Sequence, residues 1–417
     1  MSDTRSPLPV DITRRRFLQG TALAGTAAFL AACGTPPQSS GGAASPSAAA
    51  SESASAGASA SASASSGATP ATSGELRFAN WIGYIDISDD KKSFPTIEKF
   101  QTETGITVQY ADGAVDDNET FFTSDLQAPL QAGQPTEWDL VVLTDWMVAR
   151  LVRLKWLETI DTSVTPNFVA NLNDNLKARS FDPDTNLAAP WQSGMTGIGF
   201  DKKKTGDQKS LDVFFDKQFA GKLTYLSEMR DTVGLAAIRQ GNKPEELTQE
   251  QFDAALADVQ KAVKEDIVRQ VTGNSYVEDM AGGSVIIAMA WSGDVLTLLV
   301  PDQKPDQDFQ WELPTQGGML WTDNMVIPKG ATNKAQAERW IDFYYDPQNA
   351  ATIEAYVNYV CPVKGAKEVM LQSSPDLANN PLIFPPDDWT SRLHIFRATT
   401  ADEDKSWAEA FTKAMGL

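Results

Sequence analysis

The chain has 417 residues, room for two domains, with a formal net charge of −20, one histidine and two cysteines. So acidic a chain lacks the basic footprint of a nucleic-acid binder, and a single histidine excludes histidine-rich metal sites. That histidine, His394, lies in Arg392-Leu393-His394-Ile395-Phe396 with no nucleophile signature beside it, so triad chemistry is not expected. Acidity is compatible with a cationic ligand, although solubility alone also favours it.

Residues 1–32 read as an export signal: a charged start, then a short apolar run from Thr21 to Ala32 that ends in small residues. Arg14-Arg15-Arg16-Phe17-Leu18 resembles a twin-arginine signal. Leu30-Ala31-Ala32-Cys33-Gly34 resembles a bacterial lipobox, which implies that Cys33 is lipidated and becomes the mature N-terminus. Two acyl chains there would anchor the protein stably to the outer face of the cytoplasmic membrane. Residues 33–73 are almost entirely Ser, Ala, Gly, Thr and Pro, without apolar periodicity, and read as a disordered tether. With Cys33 lipidated, Cys361 has no intrachain partner and is expected to be buried. The removed signal carries four arginines and two aspartates, so the exported part is more acidic still.

Structure is expected from about Gly74. Leu76–Trp81 reads as a strand, then a helix carries Phe94, Ile97 and Phe100 and stops at Gly105. A strand at Ile106–Tyr110, a helix at Glu119–Gln131, a strand at Trp138–Leu143 and a helix at Trp146–Leu154 continue the alternation. Such βαβα order predicts an α/β lobe with a mostly parallel sheet, and ligands of such sheets bind beyond the carboxyl ends of the strands. Ala189–Phe200 reads as an extended crossing between lobes; its glycines lack the spacing of a phosphate loop. A second α/β region follows: a strand at Lys222–Leu226, a helix at Ser227–Arg239 that Ser227 could cap, a helix at Gln249–Glu265 and a strand at Ser284–Ala290. Helices are then expected at Lys334–Tyr345, Gln348–Tyr356 and Asp402–Met415.

Within Gly317-Gly318-Met319-Leu320-Trp321-Thr322-Asp323, Trp321 and Asp323 are two apart, so an extended chain points both side chains the same way. An indole face and a carboxylate aimed at one point suit an organic cation. Further aromatics and acids stand at expected strand ends: Trp81, Tyr84, Trp146, Glu228, Asp231, Trp291 and Tyr359. Glu228 and Asp231 also suit the first turn of a helix, where acids complement the macrodipole.

Asn80-Trp81-x-x-Tyr84, Trp138–Val142, Phe181-Asp182-Pro183, Met229-Arg230-Asp231, Gly317-Gly318-x-x-Trp321-x-Asp323 and Tyr359 before Pro362 follow in a characteristic order and spacing. In these segments the chain resembles the spermidine/putrescine-binding proteins of bacterial ABC importers, from Glu75 to the C-terminus. The resemblance implies an α/β, two-lobed periplasmic-binding-protein fold of type II, acting as a monomer without cofactor or metal. Lobe 1 would comprise 74–193 plus 323–368 and lobe 2 194–322 plus 369–417, with hinges near Ser193-Gly194, Thr322-Asp323 and 368. It further implies that Glu228, Asp231 and Asp323 hold the amine nitrogens of a polyamine. Trp81, Tyr84, Trp146, Trp291, Trp321 and Tyr359 would line the slot along its methylenes. The partners implied are a membrane permease and its ATPase, and no catalysis.

Two departures stand out. Ile82 replaces a small hydroxyl residue, and Glu228 before Asp231 inverts the expected order of the two acids. An aromatic cleft with a few acids would also suit another amine or an oligosaccharide. A hydrolase built on Glu228 and Asp231 is a weaker alternative, because i and i+3 share one helix face and do not flank a scissile bond.

Overall fold

The computed structural model describes residues 70–88, 90–115 and 117–417. The export signal, the Cys33 motif and the tether as far as 69 lie outside the described residues.

The first α/β unit forms much as the apolar pattern predicts. Strand β1 (Gly74–Trp81) leads to helix α1 (Pro95–Thr104), then to β2 (Ile106–Val115). Proline suits the start of α1, where its missing N–H has no helical partner, and Gly105 ends it at φ 72, in the left-handed region. The helix expected at 119–131 is interrupted by a π turn at Phe122–Leu126. Pro129, one turn on, has no N–H to donate and crowds the carbonyl four residues back, so the preceding turn widens. β3 (Leu140–Thr144) then runs without a loop into α2 (Asp145–Leu154).

β4 (Ala189–Asp201) is the expected crossing, buried along its whole length. The second unit holds β5 (Leu223–Leu226), α3 (Met229–Arg239), α4 (Gln249–Lys264), β6 (Val268–Thr272), β7 (Ile287–Trp291), β8 (Phe309–Glu312) and β9 (Gly318–Val326). The cap of α3 is a correction: Glu228, not Ser227, is its N-cap and accepts from the Arg230 N–H at 3.1 Å. β6 carries no apolar run because it lies at the end of the sheet order and is largely uncovered there. α5 (Lys334–Tyr344), α6 (Pro347–Val357), α7 (Ala366–Ser373), β10 (Leu393–His394) and α8 (Ala401–Met415) complete the chain.

Among the described residues the strands join one ten-stranded sheet with the path β2-β1-β3-β9-β4-β7-β5-β6. β1, β2 and β3 are parallel, as are β5, β6 and β7, and the antiparallel pair β4 and β9 runs between the two sets. Of three apolar cores among the described residues, one lies around Leu143, Met147 and Leu151 on the other face of the first unit, and two flank this pair. One gathers Leu76, Phe78, Phe100, Trp191, Trp340 and Ile353; the other gathers Ile198, Tyr225, Val233, Phe252, Met289 and Trp407. Three passages of the chain meet between them. Ser193 exchanges backbone hydrogen bonds with Val360 at 3.0 and 2.7 Å, and its hydroxyl lies 2.9 Å from that of Thr322. Around these passages the chain touches both cores: Val360, Leu382 and Trp389 pack on the second, while Ala366, Met370 and Ala378 belong to the first.

No helix among the described residues is long and apolar enough to cross a membrane. Cys361 is buried, and burial pushes its thiol pKa up.

Candidate functional site

The carboxyl ends of both parallel strand sets open on one cleft of about 370 Å³ between the lobes. All nine site residues expected from the sequence line it: Trp81, Tyr84, Trp146, Glu228, Asp231, Trp291, Trp321, Asp323 and Tyr359. Trp81 ends β1 and Tyr84 follows it; Trp146 stands in the first turn of α2, Trp291 ends β7, and Trp321 and Asp323 share β9.

Asp323 is 6 % exposed and is fixed from lobe 1. Tyr84 donates to Oδ2 at 2.9 Å and Thr144, the last residue of β3, to Oδ1 at 2.6 Å. Thr144 is held in turn by Asn118, whose Nδ2 donates to its hydroxyl at 2.9 Å. Asp231, in the first turn of α3, is 4 % exposed and is fixed from lobe 2. Thr196 of the crossing strand donates to Oδ1 at 2.8 Å, and the Trp291 indole N–H to Oδ2 at 2.8 Å. A carboxylate accepts about four hydrogen bonds, so these two leave Asp231 capacity for a ligand. Burial first, and the nearby Glu228 second, push the pKa of Asp231 up to about 7.

Two glycines let the aromatic walls come close. Gly194 of β4 pairs with Trp321 of β9, and a Cβ there would sit 2.1 Å from Trp321 Cζ2. A Cβ on Gly293 would sit 2.4 Å from the Tyr359 ring. The indole of Trp321 therefore lies across the crossing strand, and Tyr359 meets it edge-on at 5.5 Å between centroids. Tyr84 also meets Tyr359, at 5.8 Å with the planes 87° apart. The three rings form one continuous wall ending at the Asp323 carboxylate.

The cleft also holds a group without a role in the sequence reading. Arg230 lines the cleft beside Glu228, and its guanidinium lies 4.0 Å from the centroid of the Trp146 ring. A cation of the chain itself thus stands among the acids of the cleft. The sequence placed Arg230 in a matching motif but could not aim it. Thr144, Asn118 and Thr196 were likewise invisible as partners, because each acts through a residue distant in the chain. Ile395 and Phe396 bring the C-terminal tail to the cleft wall. Ile82 does not line the cleft, and neither does His394, which lies 3.0 Å from Glu245.

Other motif residues are scaffold. Asp182 is 1 % exposed and accepts from the backbone N–H groups of Asn186, Leu187 and Ala188 at 3.0, 3.0 and 3.1 Å. Asp139 binds Arg77 at 2.8 Å and Asn333 at 3.0 Å, tying β1 to the start of α5. Asp145 lines the cleft, but it is held by Arg179 at 2.6 Å and by Asn324 at 2.8 Å.

Residues 96–385 match the model of the bacterial extracellular solute-binding protein family. The chain is similar to the spermidine/putrescine-binding periplasmic protein of Escherichia coli, 26% identical over 313 residues, which cover 74% of this chain and 83% of that one. It is also similar to a putrescine-binding periplasmic protein of Pseudomonas aeruginosa, 27% identical over 362 residues, 83% of this chain and 93% of that one. Among solved structures, a spermidine/putrescine ABC transporter substrate-binding protein of Streptococcus pneumoniae has a TM-score of 0.68 at 22% identity. It covers 82% of this chain and 98% of its own. At that identity the likeness carries the two-lobed fold.

Proposed function

Because this chain belongs to the bacterial extracellular solute-binding proteins, we propose that it captures a polyamine of the spermidine/putrescine class and delivers it to an ABC importer. The observation that carries this reading is the pair of buried carboxylates, Asp231 in one lobe and Asp323 in the other, each oriented by two neutral donors. Buried carboxylates held this way favour cationic groups, since an ammonium leaving water must be paired. Trp81, Tyr84, Trp291, Trp321 and Tyr359 supply the apolar walls that a chain of methylenes needs, and their ring faces attract the charge between. Glu228 adds negative potential at the same cleft. Closure would bring Asp231 and Asp323 onto one ligand by bending at the three passages that meet at Ser193. Lipidation at Cys33 would hold this receptor beside its permease and ATPase, where it acts as a monomer. No catalytic step is assigned. Glu228 turns back to cap α3, so it and Asp231 do not flank a bond.

Calorimetric titration of ligand-free protein with putrescine and spermidine, beside a maltooligosaccharide, tests the proposal. One-to-one binding of an amine and no heat with the sugar is the expected result. Unchanged amine affinity in both Asp231→Ala and Asp323→Ala would refute the site.

A further inference from the structure

Outside the cleft, α6 buries an acid that the binding site does not use. Glu354 is 0 % exposed, yet neither of its carboxyl oxygens has a hydrogen bond of normal geometry. Three groups face it: the backbone N–H of Tyr359, the amide of Gln192 and the thiol of Cys361. All three lie on the passages between the lobes. Gln192 precedes Ser193 and Cys361 follows Val360, the two residues that exchange backbone hydrogen bonds there. The chain leaves α6 through Asn358, in the left-handed region at φ 59, and the next N–H, that of Tyr359, turns back towards the Glu354 side chain. Gln192 turns Nε2 to the Tyr344 hydroxyl at 3.5 Å, and its Oε1 is buried without a donor. The titratable side chains on which Glu354 acts are Tyr344, at the end of α5, and Cys361; neither is a cation.

We propose that Glu354 is a neutral carboxylic acid that ties α6 to the strands between the lobes and thereby positions Tyr359 in the ligand wall. This rests on the reading that Tyr359 lines a polyamine site. An ionised carboxylate has no cation to pair with here, and an unpaired charge is costly to bury. A carboxylate also only accepts, so it would leave Gln192 Oε1 an orphan. A protonated carboxyl has one O–H to donate and a second oxygen that accepts. The O–H suits Gln192 Oε1, and the other oxygen suits the Tyr359 N–H and the Cys361 thiol. One proton thus supplies the missing donor and removes the buried charge together. Burial pushes the Glu354 carboxyl well above the usual carboxylate range, in the same direction. The consequence falls on Tyr359, whose ring must fit between Gly293 and the rings of Trp321 and Tyr84. Glu354 holds its backbone from one side and the Ser193–Val360 pair from the other, so the ring stands on a fixed base.

Infrared difference spectra of purified wild type against Glu354→Gln, at neutral pH, test the proton. Calorimetry with putrescine on wild type, Glu354→Gln and Glu354→Ala tests the positioning. Wild type should show the carbonyl stretch of a buried protonated carboxyl, and the glutamine variant should lack it. Glutamine keeps one donor and one acceptor without charge, so Glu354→Gln should fold and bind putrescine within about twofold of wild type, while Glu354→Ala should bind at least about tenfold more weakly. Loss of a carboxylate band instead of a carboxyl band would overturn the inference. So would a glutamine variant that does not fold or that binds as weakly as the alanine variant, and so would wild-type affinity in folded Glu354→Ala. Should the alanine variant not fold, the band and the glutamine affinity still decide. No putrescine binding by wild type would overturn polyamine capture and the positioning role together, whereas the other adverse results leave polyamine capture standing.

Discussion

With Asp231 taking an ammonium group of the proposed ligand, capture should be pH-dependent near neutrality. Burial and Glu228 raise the pKa of Asp231 to about 7 in the empty cleft, so at neutral pH about half of the molecules carry a neutral carboxyl there. An ammonium prefers the carboxylate and must displace that proton. The sign follows: amine affinity rises as pH rises through about 7 and levels off above about 8. From the ionised fraction alone, affinity should fall about tenfold between about pH 8 and pH 6, and again by about tenfold by pH 5. The empty protein should show the opposite trend. A carboxyl whose folded pKa is raised contributes stability that is fully present below its unfolded value near 4 and is lost as pH rises to about 7. The ligand-induced rise in Tm should therefore grow with pH. Titrations at about pH 6 in two buffers of different ionisation enthalpy should differ in apparent enthalpy by close to one released proton per ligand. Asp231→Asn should abolish that proton release. Equal affinity from pH 5 to 8 with no buffer dependence would refute the reasoning.

Gly194→Ala places a methyl 2.1 Å from Trp321, so either the indole leaves the cleft or β4 and β9 separate. About 1–3 kcal/mol of overpacking cost is expected, read as a lower Tm, a loss of amine affinity of about tenfold or more, or both. Asp182→Ala orphans three backbone N–H groups, that of Ala188 buried and those of Asn186 and Leu187 part-buried, and should cost roughly 3 kcal/mol in urea unfolding, while leaving the affinity of the folded fraction intact. Asp404→Asn removes the charge shared by Arg150, Arg153 and Arg230 across the lobes. It should increase the radius of gyration of the ligand-free protein in solution scattering, and an unchanged value would exclude a clasp at this point. Cys33→Ala should release the protein from the membrane fraction; retention there with a normal lipid label would refute anchoring at Cys33.

Local pattern alone determined the strand-and-helix alternation, the crossing at Ala189–Phe200 and which aromatics and acids stand at strand ends. These follow from apolar periodicity and turn residues, which act over a few positions, and in a parallel sheet a strand end already lies at the cleft. Trp321 and Asp323 were legible as a pair because period two needs no knowledge of the partner strand. What faces a residue from elsewhere in the chain was decided only by the tertiary structure. Thr196 and Trp291 reach Asp231 from two separate strands, and Tyr84 and Thr144 reach Asp323 from 239 and 179 residues away. Glu228 took the cap that Ser227 could have filled, since a cap is settled by the angle at which β5 delivers the chain to α3. Arg230 beside Glu228 looks like any surface ion pair in the sequence. Only the approach of α2 and α8 sets its guanidinium between Trp146 and Asp404, because long-range packing, not local preference, fixes where a flexible side chain's charge comes to rest.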